Sequence, residues 1–332
     1  MARERITTKK LAELCGVSLG TIDRALNNRP GIRESTRERV LAAAAEYGYK
    51  PNHIGRSLQS GRTMDIGVVV HDLDNRFFSQ LVNAIQQDAW ERGYFIQLAV
   101  TLRDPQREKA VLEHMIERNV DGILLFPAGK EEELGQYLSS LPLPVVAIGN
   151  ALFPEGCCSL VGLDDRTLID QATQAAIQRG YTRLGFVAPY LKTSQHLNNF
   201  EAEERLNGFL AAAQKAGVDS FVLDDWDYLQ QLEQVPWKKA QTALICTSDI
   251  FALEVVNQLH QLGLSIPQDV GVMGFDDIDI LRYASTALTT VRYPVGEIGR
   301  MAVRRLLQEM DDATLTPEKV SLDSRIIWRD SL

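Results

Sequence analysis

Residues 6–27, ITTKKLAELCGVSLGTIDRALN, carry the pattern that organises the N-terminal part of this chain. Thr7 or Thr8 is suited to cap a first short helix, because its hydroxyl group can accept a hydrogen bond from a free backbone N–H. Gly16 can end that helix in the left-handed conformation, and Ser18 can cap a second helix. Two short helices joined by so tight a turn predict a helix-turn-helix motif.

A third amphipathic helix follows in the sequence. Ser35 and Glu38 have the spacing of a capping box, and Gly48 and Pro51 mark the end of the helix. Three such helices are enough for one small domain. Its core is expected to contain six apolar side chains, Leu11, Leu14, Ile22, Leu26, Val40 and Leu41.

The second helix would present its outward residues to the major groove of DNA, as recognition helices do. These residues are Leu19, Gly20, Thr21 and Arg24. Arg24 can donate two hydrogen bonds to guanine, and a phosphate contact or a solvated position is the alternative. Leu19 offers only an apolar contact, for example to a thymine methyl group.

The distribution of charge favours a nucleic-acid partner for the N-terminal part alone. The net charge of the 332 residues is −9. Residues 1–62 nevertheless contain 12 Lys and Arg against 6 Asp and Glu, whereas residues 63–332 contain 23 against 38. A basic head on an acidic body predicts that the head binds a polyanion and that the body binds something else.

Composition and motifs exclude several classes of protein. The N-terminus lacks the apolar segment of a secretory signal, and no apolar run approaches the roughly 20 residues of a membrane span, so a cytoplasmic, nucleoid-associated protein is expected. Motifs for phosphate loops, dinucleotides, nucleophile elbows and zinc proteases are missing, so we expect neither an enzyme nor a cofactor. The four cysteines lack zinc-site spacing.

The body of the chain has a different pattern. From Met64 onward, short runs rich in valine and isoleucine alternate with amphipathic stretches of 10–18 residues, which is typical of doubly wound parallel sheets flanked by helices. The runs are too many for one ordinary sheet, so we expect two α/β lobes with crossovers near 160–162 and 289–292. Ligands of such folds bind beyond the carboxyl ends of the strands.

Three stretches resemble the lactose-repressor (LacI/GalR) family of bacterial transcription regulators. They are LAELCGVSLGTIDRALNN at 11–28, RESTRERVLAAAAEYGYKPN at 33–52 and GRSLQSGRTMDIGVVV at 55–70. The resemblance, which runs from about Ile6 to Ser331, implies an all-α DNA-binding head and a body like the type I periplasmic sugar-binding proteins. It also implies operator contacts by Thr7, Thr8, Ser18, Leu19, Gly20, Thr21, Arg24, Asn27, Arg56, Leu58 and Gln59.

Residues 51–62 correspond to the segment that, in this family, folds as a hinge helix when two protomers bind an operator. A leucine from each hinge wedges into the minor groove, and Leu58 stands at that position. Gly55 replaces the usual alanine and should weaken this helix when DNA is absent. Two further departures, Lys10 and Asp23, suggest a charge pair between the first two helices.

Five motifs of the body resemble the effector-binding segments of the family. They are DLDNRFF at 72–78, RLNGF at 205–209, TSD at 247–249, GFDD at 274–277 and LTTVRY at 288–293. The resemblance implies that the effector contacts Asn75, Phe77, Phe78, Asn199, Glu201, Arg205, Ser248, Asp276 and Tyr293. Asp249 is expected only to cap a helix, and at least one of the two phenylalanines to belong to the core.

Two departures bear on the identity of the effector. Arg76 stands where the family has proline, which puts the geometry of that loop in question, and Gly149 replaces a strand-end aspartate. The remaining amide, guanidinium, carboxylate and aromatic groups suit a polyol or sugar, and they would also tolerate a phosphorylated sugar or a nucleobase. A carbohydrate is the preferred hypothesis.

The sequence therefore predicts a homodimeric, sequence-specific DNA-binding regulator, a repressor controlled by a small molecule bound between the lobes. The expected domains are a head at 1–50, a hinge at 51–62 and an effector-binding and dimerisation domain at 63–332. One lobe would comprise about 63–161 and 293–319, and the other about 162–292 and 320–332. The alternatives are an activator of the same family and a solute-binding protein without a DNA function.

The oligomeric state is predicted from an absence. The leucine-heptad tail of tetrameric members of the family is missing, so a C2 dimer is expected. We expect its interface to come from exposed helices of the first lobe, such as the helix around 81–90.

Overall fold

The structure is a computed structural model that describes residues 6–49, 61–129, 131–151, 153–154, 156–192 and 197–332. The chain divides into two compact units, Met1–Thr63 and Met64–Leu332. The predicted hinge contacts Arg56, Leu58 and Gln59 lie outside the described residues.

The described part of the first unit contains three helices, α1 (Thr8–Cys15), α2 (Leu19–Leu26) and α3 (Glu34–Glu46). Leu14 and Leu41, which were expected in the core, are each 45% exposed, so this part of the prediction was wrong. The inner faces of the helices are narrower than predicted, because small residues let them pack closely. The buried side chains are Leu11, Ala12, Cys15, Ile22, Ala25, Val40 and Ala44, with Leu26 half-buried beside them.

The ends of α1 and α2 are formed as predicted. The hydroxyl groups of Thr7 and Ser18 each accept a backbone N–H at 3.2 Å, and Gly16 has a left-handed φ of 62°. The predicted capping box of α3 is not formed. The helix begins directly after Arg33, whose side chain makes no cap, so Ser35 already lies in the first turn.

The second unit contains two lobes, each built on one sheet. Sheet 1 has the strand order β11–β5–β4–β3–β1–β2, and all its pairs within the described residues are parallel. Its strands are β1 (Asp65–Val70), β2 (Phe95–Val100), β3 (Gly122–Leu125), β4 (Val145–Ile148), β5 (Ser159–Gly162) and β11 (Lys319–Ser321). The helices of this lobe are α4 (Arg76–Glu91), α5 (Pro105–Glu117), α6 (Glu131–Ser139) and α11 (Val295–Asp311).

Sheet 2 has the strand order β12–β10–β9–β8–β6–β7. Its strands are β6 (Arg183–Val187), β7 (Asp219–Leu223), β8 (Thr242–Cys246), β9 (Val270–Asp276), β10 (Thr289–Arg292) and β12 (Ile326–Ile327). The helices are α7 (Asp165–Gln178), α8 (Phe200–Ala216), α9 (Tyr228–Leu232) and α10 (Asp249–Gln261). The β10–β12 pair is antiparallel, so the sheet is not purely parallel as predicted. The chain leaves β10 for the first lobe and enters β12 from that lobe at the same end of the sheet, so β12 runs in the opposite direction.

The chain crosses between the lobes three times within the described residues. Two crossings follow β5 and β10, where they were predicted, and the third joins β11 to β12. The crossings are hydrogen-bonded to each other: Leu322 donates its N–H to the carbonyl of Gly162, and Arg292 to that of Arg325, both at 2.9 Å. The predicted lobe boundary at 319–320 implies this third crossing, although β12 has only two residues.

Close packing at the end of sheet 1 depends on two glycines. Gly149, directly after β4, has a left-handed φ of 102°. A Cβ atom on Gly162 would lie 1.7 Å from the carbonyl oxygen of Gly149, so the backbones approach too closely for any side chain. This contact fixes the first crossing against the end of β4. None of the described helices is long and apolar enough to cross a membrane.

Candidate functional site

The head presents α2 as an exposed helix. Leu19 is 54% exposed, and Gly20 and Arg24 are also exposed, whereas Thr21 is half-buried and its hydroxyl lies 3.0 Å from that of Ser18. Arg24 makes no salt bridge with the described residues, so its guanidinium group is available to a ligand. This outward face can offer an apolar contact, a hydroxyl group and a bidentate donor to DNA.

The predicted charge pair between Lys10 and Asp23 is not formed. Lys10 instead pairs with Glu13 at 3.3 Å on its own helix. Asp23 accepts hydrogen bonds from Asn27 at 2.8 Å and from Arg29 at 3.0 Å. Asn27 and Arg29 are both closer to Asp23 in the sequence than Lys10 is. Arg29 compensates the negative charge that Asp23 would otherwise present to phosphates.

The two threonines at the start of α1 have different environments. Thr7 is exposed, although its hydroxyl caps α1. Thr8 is half-buried, and its hydroxyl lies 2.8 Å from that of Tyr49 in the core of the head. Thr8 is therefore held in place by the fold, whereas Thr7 is open to solvent.

A cavity of about 510 Å³ lies between the two lobes of the body. It is open at the carboxyl ends of strands from both sheets, the position at which doubly wound folds bind ligands. The residues that line it are Asp72, Asp74, Asn75, Phe77, Phe78, Leu102, Arg103, Phe126, Tyr190, Glu201, Arg205, Trp226, Thr247, Ser248, Ile250, Phe251, Asp276 and Tyr293.

The cavity brings together most of the predicted effector residues, which the sequence spreads over some two hundred positions. Those that line it are Asn75, Phe77, Phe78, Glu201, Arg205, Ser248, Asp276 and Tyr293. Asn199 is buried at the start of α8 and does not belong to the lining. Residues two apart at a helix start point in different directions, so Glu201 and Asn199 cannot both face the cavity.

Arg205 is the buried cation of the site. Its Nε atom donates to Asp165 at 2.6 Å, and one terminal nitrogen donates to the carbonyl of Thr247 at 2.6 Å. The guanidinium carbon lies 3.7 Å from the centre of the Phe275 ring. The second terminal nitrogen has no hydrogen-bond partner among the described residues, so a ligand in the cavity can accept from it.

Glu201 occupies the space next to Gly149. A Cβ atom on Gly149 would lie 2.5 Å from Glu201 Oε1, which accepts the backbone N–H of Asn150 at 2.9 Å. The carboxylate missing after β4 is therefore supplied by α8 of the other lobe. Burial, and then repulsion from Asp165, raises the pKa of Glu201 to about 7.

Asp276 is held in a strained backbone conformation. Its φ is 120°, and Asp277, next in the chain, has a φ of 57°; both values are rare for residues with side chains and concentrate at functional sites. The Asp276 carboxyl group is 7% exposed and accepts no hydrogen bond from the described residues. Burial raises its pKa well above the usual range. Since the carboxyl group has no hydrogen-bond partner among the described residues, it can exchange hydrogen bonds with the hydroxyl groups of a ligand.

Aromatic rings close the inner wall of the cavity. Phe77 contacts Tyr293 edge-on at 4.8 Å, and Phe78 contacts Phe126 at 4.9 Å. Both phenylalanines belong to the core and also line the cavity. The buried Tyr293 hydroxyl has no hydrogen-bond partner among the described residues, so it marks a further polar position for a ligand.

Asn75, Ser248 and Asp249 lie at the N-termini of two helices beside the cavity. Asn75 caps α4 by accepting the N–H of Phe77 at 3.0 Å, which leaves its NH₂ group for a ligand. Ser248 caps α10. Asp249 was expected to cap this helix, but it does not. It accepts from the hydroxyl of Thr290 and the N–H of Ile278, which ties the two strand ends together.

Several lining residues were not predicted from the sequence. Arg103 follows β2, Tyr190 follows β6, and Trp226 and Phe251 lie in the second lobe. The signal that could have found Arg103 and Tyr190 is their position shortly after the end of a strand, since neither belongs to a recognisable motif.

Comparisons with known proteins agree with this architecture. The family model for bacterial regulatory proteins of the lacI family matches residues 7–52, and that for periplasmic binding protein-like domains matches residues 173–332. The ribose operon repressor of Escherichia coli is 31% identical over 98% of this chain and 99% of its own length. The HTH-type transcriptional repressor CytR of the same species is 31% identical, over 98% and 96%.

A solved structure shares the whole fold. The Lac repressor dimer bound to operator and the anti-inducer ONPF aligns with a TM-score of 0.85 over 99% of both chains, at 21% identity. A helix-turn-helix head followed by a two-lobed binding domain defines a ligand-responsive DNA-binding regulator. The chain belongs to the LacI family of bacterial transcription regulators, which confirms the resemblance and the fold class predicted from the sequence.

Proposed function

We propose that this chain is a cytoplasmic repressor that binds a pseudo-palindromic operator as a homodimer. Its affinity for the operator changes when a neutral, hydroxyl-rich molecule of the carbohydrate class binds between the lobes. The head at 1–50 reads the operator, the hinge at 51–62 contacts its centre, and the body at 63–332 senses the effector. The observation that carries the proposal is one chain that combines an exposed recognition helix with a polar and aromatic interlobe cavity.

The head supports the DNA-binding half of the proposal. The exposed face of α2 carries Leu19 and Arg24, and the hydroxyl of Ser18 lies beside it. Residues 1–62 are rich in Lys and Arg although the chain as a whole is acidic. A solute-binding protein has no use for such a head. We therefore assign Ser18, Leu19, Gly20, Thr21, Arg24 and Asn27 to the operator interface.

The cavity supports the effector half. A hydroxyl-rich ligand both donates and accepts hydrogen bonds, and the cavity offers both kinds of partner. Asp276 and Glu201 can accept, Arg205 and Asn75 can donate, and the rings of Phe77 and Tyr293 can cover the apolar face of a sugar. The relative named for the ribose operon makes a pentose-containing ligand the first class to test.

The test begins with selection of operator DNA from a random duplex library by the full-length protein, followed by titration of the selected duplex. We expect Arg24→Ala to weaken binding by about 1–3 kcal/mol and to relax selection at one base pair of each half-site. The matched control is Arg39→Ala, which removes the same charge from the exposed side of α3.

The effector half is tested on the same duplex. Adding carbohydrates and nucleosides to the complex should identify a compound that shifts the operator affinity, and Asp276→Ala should abolish that shift while leaving operator binding intact. Selection of no sequence at all contradicts the DNA-binding role. A selected sequence whose affinity responds to no hydroxylated compound contradicts the effector assignment alone.

A further inference from the structure

The cavity is larger than a single sugar ring requires. Its volume of about 510 Å³ falls within the range of pockets that bury drug-sized ligands. At the packing density of protein interiors, one pentose or hexose would fill roughly a third of this space. A ligand that excludes most of the water from the cavity therefore needs at least a second group of similar size.

The inner end of the cavity is polar and almost closed. Arg205, Asp276 and Tyr293 are each less than a tenth exposed, at 6%, 7% and 3%. Glu201 lies next to this group, since the charges of Arg205 and Glu201 both act on Asp276. The Tyr293 hydroxyl, which has no partner among the described residues, and the second terminal nitrogen of Arg205 are groups that suit a ligand with several hydroxyl groups.

The outer end of the cavity is aromatic and open. Tyr190 lies 5.9 Å from Phe251, and Phe251 lies 6.3 Å from Trp226, so three rings form a continuous surface on the second lobe. The Trp226 ring is 59% exposed in a protein whose other cavity rings are mostly buried. An exposed aromatic surface joined to a polar pocket is suited to the flat face of a ring.

The first lobe contributes Arg103 to this outer end. Arg103 lies with its guanidinium carbon 5.4 Å from the centre of the Tyr190 ring. It is reached through two consecutive left-handed residues, Leu102 at φ 53° and Arg103 at φ 58°. Such strain persists only where the surroundings enforce it, and it concentrates in ligand clamps. A planar guanidinium group stacks readily on a flat ring.

The charges of the lining argue against a strongly anionic ligand. Four carboxyl groups, those of Asp72, Asp74, Glu201 and Asp276, line the cavity with only two guanidinium groups, those of Arg103 and Arg205. Burial raises the pKa of Glu201 and Asp276, so these two groups carry less than full negative charge near neutral pH, but the lining still offers a phosphate group no excess of positive charge. The groups of the outer end favour a neutral ring over a phosphate.

We propose that the effector has two rings, a hydroxylated sugar ring held at the inner end and a second, flat-faced ring held at the outer end against Phe251 and Trp226, beside the stacked pair of Arg103 and Tyr190. This inference rests on the proposed function, because it assigns the same cavity. Nucleosides and disaccharides share the required chemistry. In both, a glycosidic bond joins the sugar to a second ring with an apolar or π face.

The test is isothermal titration of the full-length protein with one-ring and two-ring compounds that share a sugar. D-ribose is paired with adenosine and uridine, and D-glucose with cellobiose and sucrose. We expect at least one two-ring compound to bind more tightly than its parent sugar by at least about tenfold, which is the lower end of what one stacked ring contributes. The class of that compound distinguishes nucleosides from disaccharides.

Variants of the outer end make the test specific. Trp226→Ala and Arg103→Ala should each reduce the preference for the two-ring compound and leave the affinity for the free sugar unchanged. Tyr283→Ala is the matched control, because Tyr283 is 75% exposed on the same lobe and does not line the cavity. It should change neither affinity.

Three outcomes overturn the inference: a free sugar that binds as tightly as its two-ring derivatives, a preference that survives both outer-end variants, or no binding of any two-ring compound at millimolar concentration. In the first case, an effect of the free sugar on operator affinity would leave the proposed function intact. The failure of the inference and the failure of the proposed function are thereby distinguished.

Discussion

Arg76 and Asp279 join the two lobes of the body by a bidentate ion pair. Arg76 is the first residue of α4, and Asp279 begins a 3₁₀ turn after β9. The Nε and Nη2 atoms of Arg76 each lie 2.7 Å from a different carboxylate oxygen of Asp279, and Gln80 accepts the backbone N–H of Asp279 at 3.1 Å. The hydrogen bonds from Arg76 lower the pKa of Asp279 below its usual value. The residue that departs from the family's proline thus connects the lobes beside the cavity.

The ion pair of Arg76 and Asp279 is expected to stabilise the arrangement in which the two lobes are in contact beside the cavity. Arg76→Asp and Asp279→Arg should each lower the denaturation midpoint of the body, and the double reversal should recover part of the loss, because it restores an attractive pair. Both side chains are partly exposed, so the effect should be small and should fade at high salt. A loss in the double variant equal to the sum of the two single losses would mean that the two charges do not interact.

Effector affinity should depend on pH through Glu201. The pKa of this carboxyl group is raised to about 7, and ligand hydroxyl groups donate to the ionised form, so binding favours loss of the proton. The affinity should therefore rise between pH 6 and pH 8, and titration calorimetry in buffers of different ionisation enthalpy should detect proton release below the pKa. Glu201→Gln should flatten that part of the profile. An unchanged profile in the variant would assign the dependence to Asp276 instead.

The dimer interface is expected to include the exposed apolar surface of Trp90, Phe95 and Leu98. Leu81, near the start of the predicted interface helix, is fully buried and cannot take part. The exposed apolar surface lies instead at the end of α4 and on β2. Trp90 is 60% exposed and contacts Phe95 edge-on at 5.1 Å. Trp90→Ala should weaken dimerisation by about 2 kcal/mol or more in sedimentation equilibrium.

A matched control exists for that measurement. Trp226 is 59% exposed, almost the same as Trp90, but lies at the cavity in the other lobe. Trp226→Ala should leave the dimer intact. If both variants, or neither of them, dissociate, the assigned surface is wrong.

The contact between Gly149 and Gly162 should make Gly162 intolerant of any side chain. Gly162→Ala would place a carbon against a backbone carbonyl that cannot move aside, and we expect a loss of about 3 kcal/mol or more in urea denaturation. Gly296→Ala is the control. It lies in α11, its added carbon would meet nothing closer than 3.6 Å, and alanine is the better helix former, so stability should be kept or increased.

The sequence was informative where local patterns carry the structure. Caps such as Thr7 and Ser18 and the buried parallel strands have short-range signals, so the head and both lobes could be predicted. Side chains brought together by the tertiary fold have no such signal. Arg103 and Trp226 are far apart in the chain, and the replacement of a carboxylate near Gly149 by Glu201 becomes visible only when α8 is packed against the end of β4. The pairing of Lys10 with Glu13 likewise shows that a neighbour on the same helix competes well with a distant partner.

The order of the strands has a consequence for protein synthesis. Sheet 1 is completed by β11 and sheet 2 by β12, so residues 319–327 finish both lobes, whereas the three helices of the head lie entirely within residues 8–46. A nascent chain can therefore form its DNA-reading module long before either half of its sensor is complete. A premature stop shortly before residue 319 would leave both lobes with an open edge at once, and such a product should be removed by proteases rather than persist as a regulator that occupies operators without responding to its signal.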